Sequence, residues 1–125
     1  MSTVLMYNLS PEKEIKLKNL CREMFLEAMT VEKADYGRTL GAVLGLSEDG
    51  EEKTAEDFAD EMLYLHDLRG GMLDLFLNRV RKKKLGVALK AVSTPTNLAF
   101  TSSELHRELC AEREAIMNGM KAHEG

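Results

Sequence analysis

Two short apolar runs, VLMY at 4–7 and MLYLH at 62–66, each give way to a stretch whose apolar residues recur every three or four positions. No other feature restricts the fold as much. A strand that hands over to an amphipathic helix has to bring the helix's apolar stripe back onto a sheet, and strand-helix-strand units do so by a short path. Two such units in a chain of 125 residues make one domain, 1–125, with room for one core.

In the first unit, Asn8 and Ser10 end the strand, and Pro11 opens the helix where its missing N–H costs nothing. Leu17, Leu20, Cys21 and Met24 form the buried stripe, and Phe25 to Val31 reads as the second strand. In the second unit, Asp67, Gly70 and Gly71 stop the strand, and Met72, Leu75, Phe76 and Val80 carry a helix to Lys84. Gly86 reads as its cap, behind the basic run Arg79, Arg81, Lys82, Lys83 and Lys84. Val87 to Val92 is the fourth strand, because Ser93 to Asn97 are turn formers. Thr101 and Glu104 fit a capping box that opens a C-terminal helix over 101–120. Between the units, Gly37, Gly41 and Gly45 recur every four residues, spacing that lets a neighbouring backbone come close. An acidic connection follows over 48–61, where eight carboxylates meet only Lys53, and it reads as a solvated bridge complementary in charge to the basic run.

The order predicts an α+β domain, packed as a ferredoxin-like split βαβ sandwich. Its four-stranded sheet is expected to be mainly antiparallel, with helices on one face and the C-terminal helix as an addition. Strand alternation turns Val4, Met6, Leu63, Leu65, Val87, Leu89 and Ala91 toward the helices. Leu5, Tyr7, Met62, Tyr64, His66, Ala88, Lys90 and Val92 are left on an open face too apolar to stay wet.

Seventeen Lys and Arg against 21 Asp and Glu leave a net charge of −4, the wrong sign for a duplex-DNA binder. No stretch approaches the 18 apolar residues or so of a membrane span, and the N-terminus lacks the pattern of a signal peptide, so a cytoplasmic location is expected. Cys21 and Cys110 read as reduced thiols on helix faces. His66, His106 and His123 are scattered, and neither cysteine lies near the other, so neither a metal site nor a cofactor is expected. No phosphate-binding loop or nucleophile motif points to an enzyme, and no catalytic residue is assigned.

LKAVSTPTN at 89–97, VLMYNLS at 4–10 and DYGRTLGAVLGL at 35–46 make the chain resemble a family of small bacterial proteins known only as a domain of unknown function. The resemblance runs from about Val4 to Leu109. Its most specific string is Leu89, Lys90, Ala91, Val92, Thr94, Thr96 and Asn97, followed by Phe100 and Thr101. It implies a fold and a signature, and no catalytic residues.

The leading expectation is therefore a non-enzymatic interaction module that forms a homodimer through the open sheet face or the glycine-lined segment. The alternative is a ligand-sensing domain. There Lys90, a cation in an apolar strand, joins Thr94, Thr96 and Asn97 to hold a small anion, with Tyr7 and Asn8 as neighbours. Tyr7 and Tyr64 on central strands would suit stacking on single-stranded RNA, but the basic surround that such binding needs is absent.

Overall fold

The computed structural model describes residues 2–50, 53 and 55–124, the side chains of 120–124 excepted. The first apolar run becomes β1 (Thr3–Tyr7), followed by α1 (Pro11–Glu23) and β2 (Glu27–Thr30). The hydroxyl of Ser10 accepts from the backbone N–H of Lys13 at 3.3 Å, which caps α1 with Pro11 in its first turn. The connection that follows carries a 3-10 turn (Lys33–Asp35) and one helical turn, α2 (Leu40–Val43). β3 (Met62–His66), α3 (Gly70–Lys82) and β4 (Leu89–Val92) form the second unit. A 3-10 turn (Asn97–Ala99) then leads into α4 (Ser102–Glu124). Among the described residues no helix is long and apolar enough to cross a membrane.

The expected element order and the α+β class hold, but the sheet is mixed rather than mainly antiparallel. Its strands lie in the order β2-β1-β3-β4, with β1/β2 and β3/β4 parallel and only β1/β3 antiparallel. A ferredoxin-like split βαβ needs a foreign strand between the two strands of each unit. Here they are direct neighbours, as consecutive strands most often are, so the split arrangement is corrected.

The two units repeat one another. A shift of 59 residues (3 to 62) carries Thr3–Tyr7 onto Met62–His66 and Pro11–Glu23 onto Gly70–Lys82. The same shift relates the left-handed residues, Asn8 (φ 58°) to Asp67 (61°) and Phe25 (58°) to Lys84 (57°). Leu5 lies opposite Tyr64, its own equivalent, so a local two-fold axis passes between them. Phe25 and Lys84 each end a helix in a left-handed cap, in which the N–H of Leu26 reaches Cys21 O at 2.8 Å and that of Leu85 reaches Val80 O at 3.0 Å. Lys84, rather than Gly86, is thus the capping residue of α3.

α1 and α3 cover one sheet face, packing Leu17, Leu20, Phe76 and Val80 on Val4, Met6, Leu63 and Leu65. The face expected to be open is covered too. Val31, Tyr36, Leu40 and Phe58 of the connection, with Leu105 of α4, pack on Leu5, Tyr7, Met62 and Tyr64. Leu89 and Ala91 belong to this second layer, the reverse of the expected facing, because Leu89 lies opposite Met62 and Ala91 opposite Tyr64. A register one residue out turns every side chain over, and it places Lys90 opposite Leu63 on the α1/α3 side.

The glycine spacing acts as expected at two of its three positions. A Cβ on Gly37 would stand 2.3 Å from the carbonyl oxygen of Lys53, and one on Gly41 would stand 3.3 Å from that of Leu98. These close approaches bring the connection and the turn before α4 down onto the sheet.

Candidate functional site

The second layer is held by side chains that bond across chain-distant segments. Asn8, whose left-handed backbone suits Asn, donates through Nδ2 to the carbonyls of Phe58 (2.8 Å) and Asp60 (3.1 Å). The Ser103 hydroxyl donates to the carbonyl of Glu56 at 2.6 Å, and Lys13 pairs with Glu61 at 2.7 Å. Phe58 stacks between two rings, Tyr36 at 4.6 Å and His106 at 4.1 Å, the second pair within 5° of parallel. The capping box forms as the sequence predicts. The N–H of Thr101 reaches Glu104 Oε1 at 3.2 Å, and the N–H of Glu104 reaches Thr101 Oγ1 at 3.1 Å.

That start fixes the phase of α4 and aims two of its side chains at the end of the connection. His106 and Cys110 lie one turn apart on one helix face. His106 Nε2 is 2.8 Å from Asp60 Oδ2 and 3.5 Å from Cys110 Sγ. One atom from each of the three lies within 4.8 Å of the other two. Burial, together with the Asp60 and Glu114 carboxylates, pushes the Cys110 thiol up from its ordinary value, while Arg113 opposes this. Cys21 is a different thiol, on the buried face of α1 and pushed up to about 11 by burial alone.

The residues singled out for anion binding divide into two places. Lys90, Thr94, Thr96 and Asn97 share one groove of about 440 Å³ beside β4. Their donors are largely committed within the chain. Lys90 Nζ donates to the Val87 carbonyl. The backbone N–H of Asn97 donates to Thr94 Oγ1, its Nδ2 donates to the Val92 carbonyl, and its Oδ1 accepts from the Thr94 N–H and the Tyr64 hydroxyl. Glu108 and Glu112 line the same groove. Tyr7 and Asn8 are elsewhere: the Tyr7 hydroxyl is buried against Ser102 Oγ at 2.7 Å, and Asn8 holds the connection. Burial pushes the phenols of Tyr7 and Tyr64 up, so both stay neutral. Neither ring is free to stack on a base.

Another cavity, of about 510 Å³, lies at the carboxyl ends of β1 and β2, beside Asn8, Glu14, Glu32 and Lys33. The Glu14 carboxylate in it accepts from Thr30 and pairs with Lys18 at 2.9 Å. The expected pairing of the acidic connection with the basic run is not found among the described residues, where Glu61 pairs with Lys13 and Lys53 with Glu104. Part of the connection, Glu51, Glu52 and Thr54, lies outside the described residues.

Residues 61–121 match the family model of a domain of unknown function (DUF3783). The match spans β3, α3, β4 and most of α4, and so includes the LKAVSTPTN string, His106 and Cys110. VLMYNLS and DYGRTLGAVLGL fall outside it, so the shown resemblance is shorter than the sequence blocks suggested. Asp60 stands one residue before the DUF3783 match. No curated protein and no solved structure matches the chain.

Sequence reasoning missed the Asp60, His106 and Cys110 cluster. The signal for half of it was present, since a His and a Cys four apart on a helix share a face. The aspartate arrives from the acidic connection, and only the tertiary fold brings it in.

Proposed function

We propose that this protein is a non-enzymatic interaction module that associates with a second copy of itself through α4 and the free edge of β4. The observation that carries this reading is the exposure of α4. Its first turns are buried at Ser102, Ser103 and Leu105, but every side chain from Ala111 to Gly119 is exposed. A helical stretch of that length is marginal in water unless its apolar side meets something. Ile116 and Met117 are 65% and 53% exposed, and Val92 on the outer strand of the sheet is 42% exposed.

Charge favours a copy of the same chain as the partner. The groove between β4 and α4 sets Arg113 beside Glu112 around an apolar centre of Leu109, Ile116 and Met117. A patch carrying both signs around apolar residues can meet itself across a two-fold axis. The sheet face carrying Leu5, Tyr7, Met62 and Tyr64 gives no support as a docking face, since the chain's own connection covers it. The anion-sensing alternative draws less, because two carboxylates share the groove with Lys90 and the turn's amide is bonded internally.

Sedimentation velocity of the full chain tests the proposal. The wild type is expected to sediment as a dimer at micromolar concentration, and an Ile116→Glu, Met117→Glu double variant as a folded monomer. A monomeric wild type, or a variant dimer of unchanged affinity, refutes it.

A further inference from the structure

Going beyond self-association, we propose that Asp60, His106 and Cys110 form a three-ligand site for a borderline-soft divalent cation of the zinc class, which staples the connection to α4.

The donor set points to the metal class. Imidazole nitrogen, thiolate sulfur and one carboxylate oxygen suit zinc or cobalt, whereas calcium and magnesium take oxygen ligands. The geometry is close to what such an ion needs. With ordinary zinc–ligand bond lengths, a tetrahedral site separates nitrogen from sulfur by about 3.6 Å and nitrogen from oxygen by about 3.4 Å. The chain holds the first pair at 3.5 Å and the second at 2.8 Å, so of these two pairs only the one with Asp60 has to open, by about half an ångström. Asp60 is the most exposed of the three and stands on the side open to solvent, where a water can fill a fourth position.

The same contacts argue against a nucleophilic relay. In a Cys-His-Asp relay the thiol and the carboxylate bond opposite nitrogens of the ring, so that one orients the base that activates the other. Here both approach Nε2. A thiol and a carboxylate gathered at the same ring nitrogen describe coordination rather than a relay.

The fold holds these ligands in place before any ion arrives. The His106 ring lies flat against Phe58, Asn8 fixes the backbone carbonyl of Asp60, and the neighbouring Glu61 is paired to Lys13. His106 and Cys110 are set by the helix itself. Orientation of ligands by rigid elements and packed neighbours is what a metal site requires of its scaffold.

Cobalt(II) titration of the reduced full chain provides the test, since a thiolate bound to cobalt gives a charge-transfer band in the near ultraviolet. The wild type is expected to show that band at one cobalt per chain and to lose it on addition of zinc. Zinc is also expected to raise the melting temperature of the wild type, as any ligand bound only by the folded chain does. Cys110→Ser should lose the band. Asp60→Asn, an exposed change that leaves the core intact, should weaken zinc binding by more than about tenfold, because a direct ligand matters at least as much as an outer-shell one. Circular dichroism of the metal-free variants shows that each is folded. Absence of the band, its survival in Cys110→Ser (which would assign it to Cys21), or unchanged zinc affinity in Asp60→Asn overturns the proposal.

Discussion

Phe25 and Lys84 hold the same left-handed position in two copies of the same unit, which makes glycine substitution at each a test of the repeat as well as of the cap. A side chain at a positive φ costs about 1–2 kcal/mol through its Cβ. Glycine removes that cost and returns about 0.5–1 kcal/mol through its greater freedom in the unfolded chain. The expected net gain is about 0.5–1 kcal/mol for Phe25→Gly, since the Phe25 ring is 91% exposed and packs on little. Lys84→Gly should gain a few tenths of a kcal/mol less (about 0.3), because it also removes a cation from the carbonyl end of α3. At an unfolding entropy of about 2.1 cal/mol/K per residue, the first gain raises the melting temperature by about 2–4 °C. The units they cap place β2 and β4 on opposite edges of the sheet, about 14 Å apart by strand spacing, so the two effects should add. Urea unfolding of both single variants and the double variant measures all three quantities. A loss of stability in either single variant, or a double variant more than about 0.5 kcal/mol from the sum, refutes the reasoning.

Gly37→Ala should destabilise by about 1–3 kcal/mol, since the new Cβ meets a backbone carbonyl rather than a movable side chain. Gly50→Ala, with open space around it, is the control, and equal urea midpoints for the two would contradict the close approach. The pH dependence of folding should lose part of its acid limb in Glu14→Gln. The Thr30 hydroxyl and then Lys18 hold the Glu14 carboxyl below its ordinary value of 4.5, so its contribution is complete above that value and lost as pH falls through the lower folded value. Stability measured between about pH 5 and pH 3 should therefore fall less steeply in the variant, and an unchanged slope would show that Glu14 contributes nothing.

Local chemistry was legible in the sequence wherever neighbours along the chain decide it. The Ser10–Pro11 helix start, the Thr101–Glu104 capping box and both apolar stripes follow from residues within a turn of one another. Pairing was not legible, because the same strand-helix-strand order fits a split or an unsplit unit and only contacts between distant strands choose. The facing of β4 failed for a smaller reason. Val87 is buried against the helices as expected, yet the strand starts at Leu89, so alternation counted from Val87 runs one residue out of phase. Phe58 was hidden by its company: a lone aromatic among eight carboxylates looks solvated, but it is buried in the second layer between Tyr36 and His106. The candidate site shared that fate, since Asp60 comes from the same acidic stretch.

The local two-fold axis between Leu5 and Tyr64 bears on what the stretch 61–121 would do if severed from the rest. Cut there, β3 loses β1 and shows a bare row of backbone donors and acceptors, while Met62 and Tyr64 lose the connection that shelters them. Such a half-sheet is an orphan, but not one without a remedy. Since Leu5 pairs with Tyr64, its own equivalent in the repeat, a second copy of β3 would meet the first in the register that β1 now keeps. The intact chain is in this sense a tethered pair, with Val31, Tyr36, Leu40 and Phe58 of its connection as the roof over the seam.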